Sequence, residues 1–92
     1  MKPAEFDVIF QEKTKEFAQS LRSACLAKGY AVHNLSVAKA ADYVYVYELL
    51  VSNMGIRSLP HQLTYTVMYN PKTEAYIWHE DAPIMKREKA IN

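Results

Sequence analysis

Apolar and polar side chains follow two different periods in this chain, and the period changes at Gly29. Between residues 3 and 28, apolar residues recur every three or four positions, which is the spacing of one face of an α-helix. Pro3 suits a first helical turn, and Gly29 suits a left-handed C-cap. The pattern therefore predicts one long helix over residues 3–28 with an apolar stripe that must be buried. The stripe consists of Phe6, Ile9, Phe10, Phe17, Leu21, Ala24 and Cys25.

After Gly29 the apolar residues alternate with a period of two, which is typical of β-strands. The alternation predicts four strands, at 30–37, 42–51, 62–69 and 74–80. Asn70 and Pro71 supply turn residues between the last two strands. We therefore predict an α+β fold in which one long N-terminal helix packs on a three- to four-stranded antiparallel meander sheet. The element order is α-β-β-β-β, the sheet spans residues 30–80, and residues 82–92 form a short polar turn or tail.

An alternative concerns residues 37–54, which a second helix would also fit. Ser36 would then be its N-cap and Gly55 its C-cap. Runs of β-branched and aromatic residues are poor helix formers, so the strand interpretation is favoured.

Strict alternation of side chains divides the predicted sheet into two faces. We register Tyr69 opposite Glu74 and, with 38–41 as the first loop, Leu35 opposite Val44. One face is then aromatic, and its candidate interaction residues are Tyr43, Tyr45, Tyr47, Tyr65, Tyr69, Tyr76 and Trp78. The other is aliphatic and carries Leu35, Val37, Val44, Val46, Leu50, Met68, Ala75 and Ile77. A single helix can cover only one of the two faces.

We expect the helix on the aliphatic face, because a buried tyrosine hydroxyl without a partner costs about 1–3 kcal/mol. The aromatic face would then be a half-exposed interaction surface, where tyrosine and tryptophan are enriched. In the alternative prediction, the sheet curls around the helix and buries the aromatic rings, with their hydroxyls at the rim.

Length, composition and charge limit the classes of protein to which this chain can belong. The chain has 92 residues, of which 50% are hydrophobic and 23% charged, and this balance predicts a single globular domain over 1–92. A net charge of +1 gives no strong basic field for nucleic acid. Cys25 is the only cysteine, and neither a signal peptide nor an apolar run of about 20 residues is visible, so we expect a cytoplasmic protein without membrane spans.

The sequence contains no pattern typical of catalysis or metal binding. Its two glycines do not form a phosphate-binding loop, and Cys25 has no histidine near it in sequence. His33 and His79 fall on opposite edge strands, about 14 Å apart at normal strand spacing and too far to share a metal ion. We therefore predict no enzyme activity, no cofactor and no metal site.

These observations favour a small protein-interaction module that self-associates or docks a partner through its tyrosine-rich sheet face. The partner would be a second copy in a homodimer or another protein. One alternative is a small-molecule binder in which helix and sheet form a cup with an aromatic mouth. Another is nucleic-acid binding by aromatic stacking, which the scarcity of basic residues among the aromatic positions disfavours. A compact chain without catalytic patterns is also compatible with a phage or mobile-element origin.

Overall fold

The computed structural model describes residues 1–55 and 59–81, and of Asp81 only the backbone. One helix is followed by a four-stranded antiparallel sheet whose strands are neighbours in chain order, which confirms the predicted α-β-β-β-β architecture. The elements are α1 (Pro3–Ala27), β1 (Tyr30–Ala41), β2 (Val44–Asn53), β3 (His61–Asn70) and β4 (Ala75–Asp81). The tail predicted at 82–92 lies outside the described residues, and the assignment of 1–92 to a single domain stays a prediction.

Both ends of α1 lie within a residue of the predicted positions. The helix begins at Pro3, whose missing N–H is not needed in the first turn. Lys28 is the C-cap, and Gly29 follows it with φ 87° in the left-handed region that glycine enters without strain. The Gly29 carbonyl accepts a 2.9 Å hydrogen bond from the Met54 N–H. This bond ties the end of the helix to the end of β2.

The first hairpin turn differs from its prediction. β1 continues to Ala41, so the loop predicted at 38–41 is wrong, and the turn consists of Asp42 and Tyr43. Tyr43 adopts φ 64°, an uncommon conformation for a residue with a side chain. Its carbonyl accepts a 2.9 Å hydrogen bond from the Tyr69 N–H, which holds the turn against β3. Because 37–54 forms most of this hairpin, the alternative of a second helix there is wrong.

The extended first strand changes the register between β1 and β2. Leu35 lies opposite Leu49, whereas the sequence predicted Val44 as its partner. Register shifts between Lys39 and Ala41 and between Val32 and Asn34 mark two irregularities of the edge strand, and the first of them sets the pairing of Leu35. Since paired residues share a face, Leu35 lies on the same side of the sheet as Leu49 and not on the side of Val44.

The second hairpin has the predicted turn residues. The Asn70 side-chain oxygen accepts a 2.9 Å hydrogen bond from the Lys72 N–H, as in an Asx-turn. Tyr69 lies opposite Tyr76 instead of the predicted Glu74. This shift of two residues preserves the predicted faces, because side chains alternate with a period of two.

The helix packs on the aromatic face of the sheet, so the expectation that it covers the aliphatic face is wrong. The Phe10 ring stacks on Tyr45 with 3.9 Å between centroids, and Phe6 stacks on Tyr69 at 4.6 Å. As in the alternative prediction, the aromatic rings lie beneath α1. The buried core consists of Phe6, Phe10, Leu21, Cys25, Tyr47, Leu49, Val51, Leu63, Tyr65 and Val67.

Candidate interaction surface

The residues predicted to form an interaction surface lie between the helix and the sheet. Tyr47 is fully buried, and Tyr65 is 8% exposed. Trp78 is 38% exposed; its ring stacks on Tyr47 and meets Phe17 edge-on. The half-buried members of the set are Tyr43, Tyr45, Tyr69 and Tyr76. The rings of all these residues except Tyr65 contact phenylalanines of the protein's own helix, and a role of the set in partner binding stays a prediction.

Side chains of the helix supply hydrogen-bond partners for the central tyrosines. The hydroxyls of Tyr47 and Thr14 share a 2.6 Å hydrogen bond, and the Tyr45 hydroxyl donates to Asp7 Oδ1 at 2.6 Å. The Tyr43 hydroxyl donates to the carbonyl oxygen of Met1. These bonds remove the desolvation cost that led us to expect an exposed tyrosine face.

Asp7 also links the helix to the edge of the sheet. Lys39 of β1 donates a 2.7 Å hydrogen bond to Asp7 Oδ2 and forms an ion pair with it. The hydrogen bonds from Lys39 and then Tyr45 hold the pKa of Asp7 below its usual range, and the same carboxylate raises the pKa of Lys39. Burial, followed by the hydrogen bond to Asp7, raises the pKa of Tyr45 to about 12. The Tyr45 hydroxyl therefore stays protonated at neutral pH.

A second polar cluster lies at the opposite end of the helix. The Tyr65 hydroxyl donates to Glu80 Oε1 at 3.3 Å, and Lys28 Nζ lies 3.7 Å from the same oxygen. Burial and then the charge of Glu80 raise the pKa of Tyr65. Burial also raises the pKa of the Cys25 thiol, so Cys25 is held in its unreactive thiol form.

The partners of the tyrosine hydroxyls left a weak signal in the sequence. Asp7 and Thr14 are seven residues apart, as are Phe10 and Phe17, so the polar pair flanks the phenylalanine stripe along the helix. Polar residues beside a buried stripe are typical of a solvated helix flank, so their positions alone do not predict hydrogen bonds to the tyrosines.

The sheet face that points away from α1 is called the open face below. It carries Val44, Val46, Glu48 and Leu50 of β2 together with the residues that pair with them in β1 and β3, and it continues onto β4. The exposed fractions alternate along β2, where Tyr47 is buried while Glu48 and Leu50 are exposed. The described residues place the helix on the other side of the sheet.

The end of the open face near the hairpin turns is apolar. Val44, Met68 and Ile77 are direct neighbours across three strands. Val46 and Thr66 form the next cross-strand pair. Ile77 is 48% exposed, while Val44, Val46 and Met68 are half-buried. These side chains form an aliphatic ladder, defined here as Val44, Val46, Met68 and Ile77.

The other end of the open face is polar and acidic. Glu48 lies on interior strand β2, opposite Ser36 on one side and Thr64 on the other. The Gln62 amide donates a hydrogen bond to Glu48 Oε2. A depression of about 130 Å³ adjoins this carboxylate. The open face thus combines an apolar end with a negatively charged end.

No protein-family model, curated protein or solved structure matches this chain.

Other reactive side chains form no recognisable centre in the described part of the chain. His33 Nε2 and Ser52 Oγ are 2.7 Å apart, but both groups are exposed where β1 is irregular, and no acidic hydrogen-bond partner of His33 appears in residues 1–55 and 59–81. The ring of His61 meets Tyr30 edge-on. Within the same residues, no group of three or more histidine, cysteine or acidic side chains is placed to hold a metal ion, and no helix is long and apolar enough to cross a membrane.

Proposed function

We propose that this protein is a protein-interaction module that docks another protein on the open face of its sheet. The observation that carries this proposal is the aliphatic ladder of Val44, Val46, Met68 and Ile77, which crosses three strands on a face without the helix. Antiparallel sheets often have one solvated face, but such a face is usually polar. A continuous aliphatic strip gains free energy when a partner removes it from water.

The dimensions of the open face suit a protein partner. Four strands about 4.8 Å apart span roughly 14 Å between the outer strand axes, and ten residues of strand extend about 33 Å. The flat area of the open face is therefore on the order of 500 Å², without the added surface of protruding side chains. A stable interface takes roughly 800 Å² from each partner. The open face therefore supplies somewhat more than half of that area, and the sheet edges and hairpin turns would have to contribute the rest.

Charge favours a different protein over a second copy. A two-fold face-to-face dimer would place the same surface on both sides, and the described residues of the open face include Glu48 and His79 but no lysine or arginine. Such a dimer would desolvate two carboxylates that no described lysine or arginine of this face can pair with, which is unfavourable. The expected occupant is thus a protein segment that presents aliphatic side chains together with a basic group.

The two alternative functions receive less support. The depression beside Glu48, of about 130 Å³, is well below the roughly 300–1,000 Å³ of pockets for drug-sized ligands. Nucleic-acid stacking needs exposed aromatic rings with nearby basic groups. The aromatic rings described above lie beneath α1, and the open face presents a carboxylate, which repels phosphate.

Selection of peptides from a random display library on the immobilised protein tests this proposal. Selected peptides should bind at least about ten-fold more weakly to Val46→Asp, because a charge in the ladder opposes apolar contact. Val8→Asp is the matched control, since Val8 is 66% exposed on α1. Ile77→Thr, which keeps a β-branched residue in the strand, should weaken binding with little effect on folding.

Two results would contradict docking of another protein on the open face. The first is a set of selected peptides whose affinity is the same for Val46→Asp and for the unmodified protein. The second is a stable dimer in sedimentation equilibrium that Val46→Asp dissociates, because it would assign the same face to a second copy of this chain.

A further inference from the structure

We infer that the depression beside Glu48 receives a guanidinium group, supplied by an arginine side chain of the docked protein. This inference deepens the proposed function, on which it rests, by naming the polar feature that the partner must present. The depression has a volume of about 130 Å³. It is lined by Asn34, Ser36, Glu48, Leu49, Leu50 and Gln62.

The lining offers several hydrogen-bond acceptors around one negative charge. The Gln62 amide nitrogen donates to Glu48 Oε2, and a carboxylate that accepts one hydrogen bond can accept others. Asn34, Ser36 and Gln62 also line the depression, and each has a side-chain oxygen that can accept a hydrogen bond. Leu50, which is 41% exposed, provides an apolar wall for the methylene groups of an entering side chain.

Glu48 lacks a basic counterpart within the described residues. The ion pairs between described side chains involve Asp7, Glu16, Asp42 and Glu80, and none includes Glu48. A carboxylate is unfavourable in the middle of an interior strand. A cation of the partner would pair with this carboxylate at a position where docking excludes water.

The donor set of guanidinium matches these acceptors better than other cations do. Guanidinium is planar and carries five N–H donors, so it can bond to a carboxylate and to neighbouring neutral oxygens at once. Ca²⁺ takes six to eight oxygen ligands, usually with several carboxylates, whereas this site has one. A lysine ammonium would satisfy the charge but has only three donors. The depression is also sized for the end of a side chain, not for a larger ligand.

Titration of the isotopically labelled protein with ethylguanidinium tests this site without any partner. Backbone amide signals of Ser36, Leu50 and Gln62 should shift together in NMR spectra, with a millimolar dissociation constant. Glu48→Gln should weaken binding by about ten-fold, because it removes the charge of the hydrogen-bonded pair while keeping the side-chain shape. Glu12→Gln, which alters an exposed carboxylate of α1, should leave the titration unchanged.

Several outcomes would overturn the guanidinium site. They are the absence of shifts around Glu48, equal affinity for the Glu48→Gln protein, and equal or tighter binding of methylammonium at the same amides. Binding of Ca²⁺ there, lost in Glu48→Gln, would assign the depression to a metal ion instead.

The peptide selection and the titration can fail independently. Selected peptides that need Val46 but contain no arginine would preserve docking on the open face and remove the guanidinium site. Conversely, if ethylguanidinium binds at Glu48 while no selected peptide depends on Val46, the site remains and the docking proposal is wrong.

Discussion

Replacement of Tyr47 by alanine should destabilise the protein far more than replacement of its neighbour Val46 by alanine. Tyr47 is fully buried, and its ring lies between Phe10 and Trp78, with centroid distances of 6.3 and 5.8 Å. Truncation of a buried aromatic side chain to alanine lowers the free energy of unfolding by about 3–5 kcal/mol. Val46 is half-buried on the open face, so its truncation should cost less than about 1 kcal/mol.

The hydroxyl of Tyr47 can be measured separately from its ring. Tyr47→Phe removes the 2.6 Å hydrogen bond to Thr14 and should lower the free energy of unfolding by about 0.5–1.5 kcal/mol. Thr14→Val removes the same bond from the helix side. In a double-mutant cycle, the two substitutions should therefore show a coupling energy of about 1 kcal/mol.

Urea denaturation followed by circular dichroism provides these free energies, with Trp78 fluorescence as a second probe. A chain of this length is stable by about 5–14 kcal/mol, so Tyr47→Ala approaches the limit of folding while Tyr47→Phe stays measurable. If Val46→Ala were as destabilising as Tyr47→Ala, the helix would have to lie on the other face. A coupling energy near zero would mean that Tyr47 and Thr14 share no hydrogen bond in solution.

Further predictions concern pH, backbone conformation and thiol reactivity. Folding lowers the pKa of Asp7, so the stabilisation by its carboxylate is present above about pH 3.8 and is lost as the pH falls through the folded pKa. In urea denaturation at a series of acidic pH values, the free energy of unfolding should therefore fall less steeply with decreasing pH in Asp7→Asn than in the unmodified protein. The pKa of Tyr45 is raised from 10.0 to about 12, so stability is lost as the pH rises through this interval, and Tyr45→Phe should reduce that loss. Gly29→Ala should lower the free energy of unfolding by about 1–2 kcal/mol, because Gly29 has a φ of 87°. Gly55→Ala is the control and should be nearly neutral in the same assay. At both positions the added Cβ would meet no atom within 4 Å. Cys25, which is 1% exposed, should react with a thiol reagent only as fast as the protein opens, and immediate labelling would contradict its burial.

Local sequence features were sufficient to predict the helix and most of the sheet. Pro3 and Gly29 mark helix ends through backbone properties that depend little on the rest of the fold. The Asn70 turn was also predictable, because its side chain bonds to the backbone two residues later. Such signals act within a few residues, and the structure agrees with them.

The first hairpin turn could not be predicted in this way. Asp42 and Tyr43 include no glycine, and a tyrosine at φ 64° is unfavourable by local preference. Its conformation is supported by tertiary contacts, namely the Tyr43 hydroxyl bond to Met1 and the backbone bond from Tyr69. The one-residue register shift between Lys39 and Ala41, next to this turn, exchanges the faces of β1 and places Leu35 on the helix side of the sheet, which the alternation of apolar residues does not predict.

The prediction that the helix covers the aliphatic face was wrong because it assumed that buried tyrosine hydroxyls would lack hydrogen-bond partners. The cost of a buried tyrosine applies only when its hydroxyl lacks a hydrogen bond. Thr14 and Asp7 supply those bonds from the helix, at positions that the one-dimensional pattern does not connect to Tyr47 and Tyr45. The sequence pattern therefore does not predict which polar groups of the helix pair with which tyrosines of the sheet.

Glu48 has a structural reason to be polar that is independent of any partner. A shift of β2 by one residue would exchange its faces and bury Glu48 in place of Tyr47, so a polar residue here opposes the wrong register. This role requires polarity but no charge, and glutamine would serve it equally well. Recognition of a guanidinium group requires the charge itself. Glu48→Gln should therefore keep the free energy of unfolding within about 0.5 kcal/mol while it weakens ethylguanidinium binding about ten-fold. If Glu48→Gln left both the free energy of unfolding and the affinity for ethylguanidinium unchanged, Glu48 would act in the register of the sheet alone.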